Sequence, residues 1–188
     1  YDGWNGTQNE PMSGPLTRYS VECNAGGTAH RDFLVGLNSI DQSASRTDPS
    51  GVTSRPAGTY YFNKDGLMQT GLVRCEDGIL RYFDLETGAM VTNQWHNEYE
   101  AVWYYFGADG TAVSGWQSIG GDKYYFYPES HDMAYGRVQI DGKNYFLNTP
   151  GANADGRMQH SGWFYDSIYG KWSYATSDGE LLTGWHNL

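Results

Sequence analysis

Long apolar runs are missing from this 188-residue chain. With no window of 18 apolar residues, nothing in it is expected to insert in a membrane. Cysteine is scarce: Cys23 and Cys75 are the only two, too few for a disulfide scaffold. Without a CxxC or a Cys/His cluster, zinc and thiol-redox readings also fall. In an oxidising compartment the pair would close a loop of about fifty residues, worth roughly 4 kcal/mol in the chain-entropy model. Two unpaired thiols are the alternative. Positive charge is short as well: 12 Lys and Arg stand against 22 Asp and Glu, a net charge of −10. Such a surface repels phosphates, which argues against a nucleic-acid partner. An initiator Met and a signal peptide are also missing, which leads to the expectation of a mature or excised piece.

What the chain has instead is rings. Sixteen Tyr, 7 Trp and 7 Phe accompany 25 Gly, a mixture of β-favouring aromatics and turn residues. Short strands are expected, and helices are not. The rings recur in order: an aromatic triplet, a turn ending in Gly, a small apolar run, then Gly-Trp. "TYYFNKDGLMQTGL" (59–72), "LRYFDLETGAMVTNQW" (80–95), "VWYYFGADGTAVSGW" (102–116), "KYYFYPESHDMAYGR" (123–137), "NYFLNTPGANADGRMQHSGW" (144–163) and "KWSYATSDGELLTGW" (171–185) are six copies. Phe62, Phe83, Phe106, Phe126 and Phe146 follow at intervals of 21, 23, 20 and 20 residues, the spacing of a repeat protein.

Each copy reads as a β-hairpin, with the triplet as first strand, the Asp-Gly or Thr-Gly step as turn, and the stretch up to Gly-Trp as return strand. A lone hairpin is marginal in water. The units must therefore stack, which makes the expected fold an all-β solenoid of β-hairpins over residues 57–188. Along a strand, Trp103 and Tyr105 share one face and Tyr104 and Phe106 the other. Tyr104 and Phe106 are the expected core. Residues 1–56, rich in Gly, Ser, Thr, Asn and Pro, stand outside the pattern and read as an N-terminal cap or linker. Within them only "TRYSVEC" (17–23) and "DFLVGLNSI" (32–40) have strand character.

The units resemble the cell-wall-binding repeats of bacterial surface proteins, a group that includes choline-binding modules, glucan-binding repeats of glucansucrases and clostridial toxin repeats. "GWQSIGGDKYYF" (115–126) and "VQIDGKNYF" (138–146) are most similar to the glucan-binding and toxin variants, "AMVTNQW" and "TAVSGW" also to choline-binding ones. The resemblance implies a hairpin solenoid, a secreted or cell-surface location, and noncatalytic attachment to cell-wall polysaccharide, glucan or choline-decorated teichoic acid. It also implies aromatic cages built from the Gly-Trp tryptophan, the first ring of the next triplet and a later hairpin. The matching pairs are Trp95 with Trp103, Trp116 with Tyr124, and Trp163 with Trp172, separated by 8, 8 and 9 residues. A quaternary ammonium or the apolar face of a sugar fits such rings.

Two junctions depart from the pattern. Leu72 and Arg81 stand at one, Arg137 and Asn144 at the other. Arginine repels a cation and donates well to hydroxyls. These departures favour a carbohydrate-type wall ligand over choline. Two further readings stand beside the binding module: a rigid spacer or adhesin stalk with every ring in its core, and the targeting region of a cell-wall lytic enzyme whose catalytic domain lies elsewhere.

Catalytic and metal readings find little support. His30 and Asp32 in "HRDF" fit a solvated loop better than a catalytic pair, and Cys23 with His30 has no context for a thiol nucleophile. Asp65, Asp109, Asp155 and Asp178 each precede Gly and are turn formers, and no ligand-rich loop for Ca²⁺ accompanies them. No catalytic residue, metal or cofactor is expected.

Overall fold

The computed structural model describes residues 20–22, 31–33, 35–40, 57–99, 102–149, 155–166 and 168–187. The chain divides into two compact units, Tyr1–Thr92 with Ala108–Thr111, and Asn93–Gly107 with Ala112–Leu188. The described residues form two-stranded antiparallel sheets and no helix.

In the first unit, β1 (Ser20–Glu22) pairs with β2 (Arg31–Phe33), β3 (Gly36–Ile40) with β4 (Gly58–Phe62), and β5 (Gly71–Arg74) with β6 (Leu80–Phe83). "DFLVGLNSI" thus yields two strands rather than one. The first repeat hairpin takes its leading strand, β3, from the N-terminal region. In the second unit, β7 (Gln94–Tyr99) pairs with β8 (Val102–Phe106), β9 (Gly115–Ile119) with β10 (Asp122–Phe126), β11 (Gly136–Ile140) with β12 (Lys143–Leu147), and β13 (Gly162–Asp166) with β14 (Lys171–Ala175).

The hairpins therefore run in a different phase from the one expected. The Gly-Trp position, occupied by Gly-Trp itself in β9 and β13, opens the first strand and the aromatic triplet is the second. The glycine is what allows this: Gly115, at φ 69°, turns the chain in the left-handed region as it opens β9 ahead of Trp116. The tight turns are Gly120–Gly121 and Asp141–Gly142, with positive φ at both positions, as a two-residue hairpin loop requires. The turn after each triplet makes only a short return. At Asp109-Gly110 the Asp closes an Asx turn, its Oδ1 accepting from Thr111 N at 2.9 Å. One bridge then pairs the last triplet residue with the residue beyond the turn: Phe62 with Met68, Phe83 with Met90, Phe106 with Ala112, Phe126 with Met133, Leu147 with Met158, and Ala175 with Leu181.

Those bridging residues are the core. Phe62, Phe83, Phe106, Phe126, Leu147 and Ala175 are each 0% exposed. In the fifth copy the bridging position belongs to Leu147, not to Phe146, which is buried as well: Gly136 pairs with Leu147 as Gly115 pairs with Phe126. Phe146 moves one place along the strand and packs on Phe164, centroids 4.9 Å apart. Tyr104 lies buried on the face of Phe106, as expected, and Trp103 and Tyr105 are half-buried on the other.

Successive hairpins are joined by their backbones. In the second unit Met133 N donates to Trp103 O, Met158 N to Lys123 O and Leu181 N to Asn144 O, each at 2.8 Å; in the first, Met90 N donates to Thr59 O at 2.7 Å. Methionine side chains add a second link. A Cβ built on Gly88 or Gly110 would stand 2.6 Å from Sδ of Met68 or Met90, and one on Gly156 or Gly179 2.4 Å from Sδ of Met133 or Met158. A side chain at these turns would displace the thioether of the preceding repeat.

Candidate functional site

Cross-strand register decides which rings meet. A two-residue turn places residue 116 opposite 125 and residue 117 opposite 124. In that hairpin a separation of eight therefore lands on the wrong face, whereas the bulge between Asn97 and Tyr99 keeps Trp95 and Trp103, also eight apart, on one face. Trp116 packs edge-on against Tyr125, centroids 5.2 Å apart, and against Tyr145 of the next hairpin at 4.9 Å. Tyr124, expected beside Trp116, instead points inward with Phe126 and is 7% exposed. It meets the outer face of the preceding hairpin, 5.0 Å from Trp95, which also packs on Tyr105 at 5.2 Å. Burial pushes the Tyr124 hydroxyl above the usual tyrosine range.

The two junctions share a design: a Gly-Trp-type tryptophan, its cross-strand ring, and the inward ring of the following hairpin. Their polar surroundings differ. At the first, Trp103 joins Trp95, Tyr105, Val113 and Ile119 around Tyr124, Phe126 and Met133. The Trp103 indole N–H is buried there without a hydrogen-bond partner. At the second, Lys123 stands at the register of Trp103. Trp116, Gln117, Ser118, Lys123, Tyr145, Met158 and Asp178 line a cleft of about 280 Å³. Trp116 is 36% exposed and presents a ring to it.

The remaining expected pair lies on the last hairpin. Trp163 and Trp172 share a face but are not cross-strand partners. Trp163 packs against Tyr174 at 5.2 Å and Tyr165 against Trp172 at 5.7 Å. Trp163 is 63% and Trp172 66% exposed. Local spacing missed Tyr105, Tyr125 and Tyr145. The turn lengths carried the signal for the first two, whereas Tyr145 comes from a different hairpin and has no local signal.

The two departing junctions are filled by protein charge. Arg81 stands at the register of Tyr104, 7% exposed, and pairs with Asp77 at 2.8 Å. Cys75 beside it is a free thiol, raised by burial against the lowering contact of Arg81. Its expected partner Cys23 lies outside the described residues, as do His30 and the side chain of Asp32. At the other junction Arg137 replaces tryptophan, and its Nε donates to Asp166 at 2.5 Å. Among the described residues no group of three His, Cys, Asp or Glu is placed to hold a metal ion.

Residues 57–95 match the choline-binding repeat, and residues 93–112 and 114–128 the cell wall binding repeat. The repeats over residues 57–128 belong to the cell-wall-binding family. Glucosyltransferase-S of Streptococcus mutans serotype c is 34% identical over 134 residues, 71% of this chain and 9% of that protein. Glucosyltransferase-I of Streptococcus downei is 52% identical over 58 residues, 30% of this chain and 4% of that one. The chain thus spans under a tenth of these curated relatives. Among solved structures, choline binding protein F from Streptococcus pneumoniae is 28% identical with a TM-score of 0.63, covering 85% of this chain and 54% of its own. CbpJ from Streptococcus pneumoniae, also 28% identical, has a TM-score of 0.61 and covers 88% and 49%. The cell-wall-binding repeats of this chain form a solenoid of hairpins.

Proposed function

We propose that this chain is a noncatalytic binding module that holds a secreted or cell-surface protein on cell-wall polymer or glucan, with a neutral glycan seated against Trp116 and Tyr145. The observation that carries this reading is the cleft of about 280 Å³ where these rings meet Lys123, Gln117, Ser118 and Asp178. The apolar face of a pyranose stacks on an exposed indole. Lys123 and Gln117 supply donors for hydroxyl oxygens, and Asp178 accepts from hydroxyl protons. The Lys123 ammonium disfavours a quaternary ammonium in the same space. Relatives named glucosyltransferases fit this ligand class.

In this reading the aromatic-repeat region 57–188, with the strand Gly36–Ile40 that completes its first hairpin, is the binding domain, and the rest of residues 1–56 is its cap or linker. Any catalytic domain belongs to another part of a longer protein. Titration with isomalto-oligosaccharides, followed by tryptophan fluorescence and calorimetry, tests the reading. Saturable binding that choline does not displace is expected, and no response to any oligosaccharide overturns the glycan assignment.

Choline is the second reading, at the Trp95–Tyr105–Tyr124 junction. There Trp95, Tyr105 and Tyr124 supply three rings, and Trp103 stands at the register that Lys123 holds at the next junction, which suits cation–π attraction. Displacement of fluorescence by choline chloride alone would favour it.

A further inference from the structure

Three junctions in the second unit follow one register. The residue after the strand-opening position is Trp95, Trp116 or Arg137. The inward residue of the next hairpin that faces it is Tyr124, Tyr145 or Ser173. At the first two, ring meets ring at 5.0 and 4.9 Å. At the third, Arg137 Nε donates to Asp166 Oδ2 and an Nη to Ser173 Oγ, both at 2.5 Å, and the guanidinium carbon lies 5.2 Å from the Tyr169 ring centroid.

Asp166 itself takes the place that Ile119 and Ile140 hold in the two preceding hairpins. A carboxylate there is 0% exposed, and its Oδ1 also accepts from Ile168 N at 2.9 Å and Tyr169 N at 3.1 Å. A buried charge in an otherwise apolar position needs a fixed partner. Arg137 is that partner, with its planar fork shared between carboxylate and hydroxyl and its face under an aromatic ring.

We infer that Arg137 is a built-in occupant of the third junction, a specificity-determining residue that closes to ligand a cleft whose counterparts are aromatic. This rests on the reading of the aromatic junctions as ligand sites. The cationic side chain, the buried carboxylate and the ring over it form a complete cation site whose cation is supplied by the chain. The number of ligand clefts in this unit is then set by three residues, Arg137, Asp166 and Ser173, and not by the number of hairpins.

Two experiments test it. The triple variant Arg137→Trp, Asp166→Ile, Ser173→Tyr installs the residues of the open junctions at matching register. Calorimetry with isomaltotriose and with choline chloride, on wild type and variant, should show one added site per chain for whichever probe the wild type binds. A folded variant with unchanged stoichiometry overturns the inference.

The second needs no ligand. Arg137→Ala should lower the melting temperature, and millimolar ethylguanidinium should restore part of the loss. The same salt should leave the wild type unmoved, and sodium chloride at equal ionic strength should restore nothing. Should Arg137→Ala not fold, Arg137→Ser, which vacates the same space, carries the same rescue. Absence of rescue shows that the guanidinium has no defined seat, and overturns the inference. If the wild type binds neither probe, the ligand reading of the clefts fails, and the rescue alone decides whether Arg137 is a resident cation.

Discussion

Trp116 and Tyr145 meet edge to face, centroids 4.9 Å apart and planes inclined by 69°, although they belong to different hairpins. Both rings line one cleft, and Lys123 and Asp178 stand beside them. In the proposed glycan site, the surface offered to the ligand is therefore also a surface along which successive hairpins pack.

Trp116→Ala and Tyr145→Ala should weaken oligosaccharide binding by several-fold each, on the order of 1 kcal/mol for a lost aromatic contact. Lys123→Ala should act differently. Removing its ammonium should lower glycan affinity while raising affinity for choline at this cleft. Isotherms for both probes on the three variants check the pattern, and a Lys123 variant that loses or gains both ligands alike contradicts it.

Phe106 and Trp103 should separate by role. Phe106 is 0% exposed and closes the bridge to Ala112. Its replacement by Ala should cost about 3 to 5 kcal/mol. Trp103 is half-buried and lies on the opposite face. Trp103→Ala should cost less, because it also removes an indole N–H that finds no partner. Denaturant melts on the two variants measure the difference.

Much of this was legible in the chain itself. The period near twenty, the lack of helix among the described residues and the inward face of Tyr104 and Phe106 follow from ring spacing and strand alternation. The phase of the hairpins does not, because Asp109-Gly110 and Asp141-Gly142 look alike as letters. One turns after a single bridge and the other closes a full hairpin, and the difference lies in how many residues pair beyond it. The fifth copy misleads for a related reason. "NYFL" offers Phe146 as the obvious member of the phenylalanine series, yet the turn at 141–142 sets the register, and Leu147 is the residue that arrives opposite Gly136. The clefts were half visible: the tryptophans mark them, but Tyr124 and Tyr145 are brought in by the next hairpin, and no local pattern encodes that.

The methionine links give a prediction that separates packing from backbone strain. A Cβ at Gly156 or Gly179 meets Met133 or Met158 Sδ at 2.4 Å, but Gly179 also has φ 86°. Gly156→Ala should therefore be partly relieved by shortening Met133 to Ala in the same chain. Gly179→Ala should keep a residual cost of about 1 kcal/mol or more when Met158 is shortened, since L-residues disfavour that backbone region. Double-mutant cycles from thermal melts report the two couplings.

Acid should loosen the junction that Arg137 closes. Burial raises the Asp166 carboxyl, but the hydrogen bonds from Arg137 and from the Tyr169 and Ile168 N–H groups outweigh it and hold the carboxyl below the usual aspartate range. A group whose folded pKa is depressed contributes stability that is fully present above its unfolded value, about 3.9, and is lost as pH falls through the folded value. Asp77, Asp109 and Asp155 are also held low, so the wild type should lose stability below about pH 4 from several sites. Asp166→Asn removes one of them. The variant should be less stable than wild type at neutral pH, because Arg137 keeps its charge and loses its carboxylate, and its stability should fall less steeply below pH 4. Stability curves from pH 2 to 7 check this, and parallel curves for the two proteins would show that the Arg137–Asp166 pair contributes nothing to the acid response.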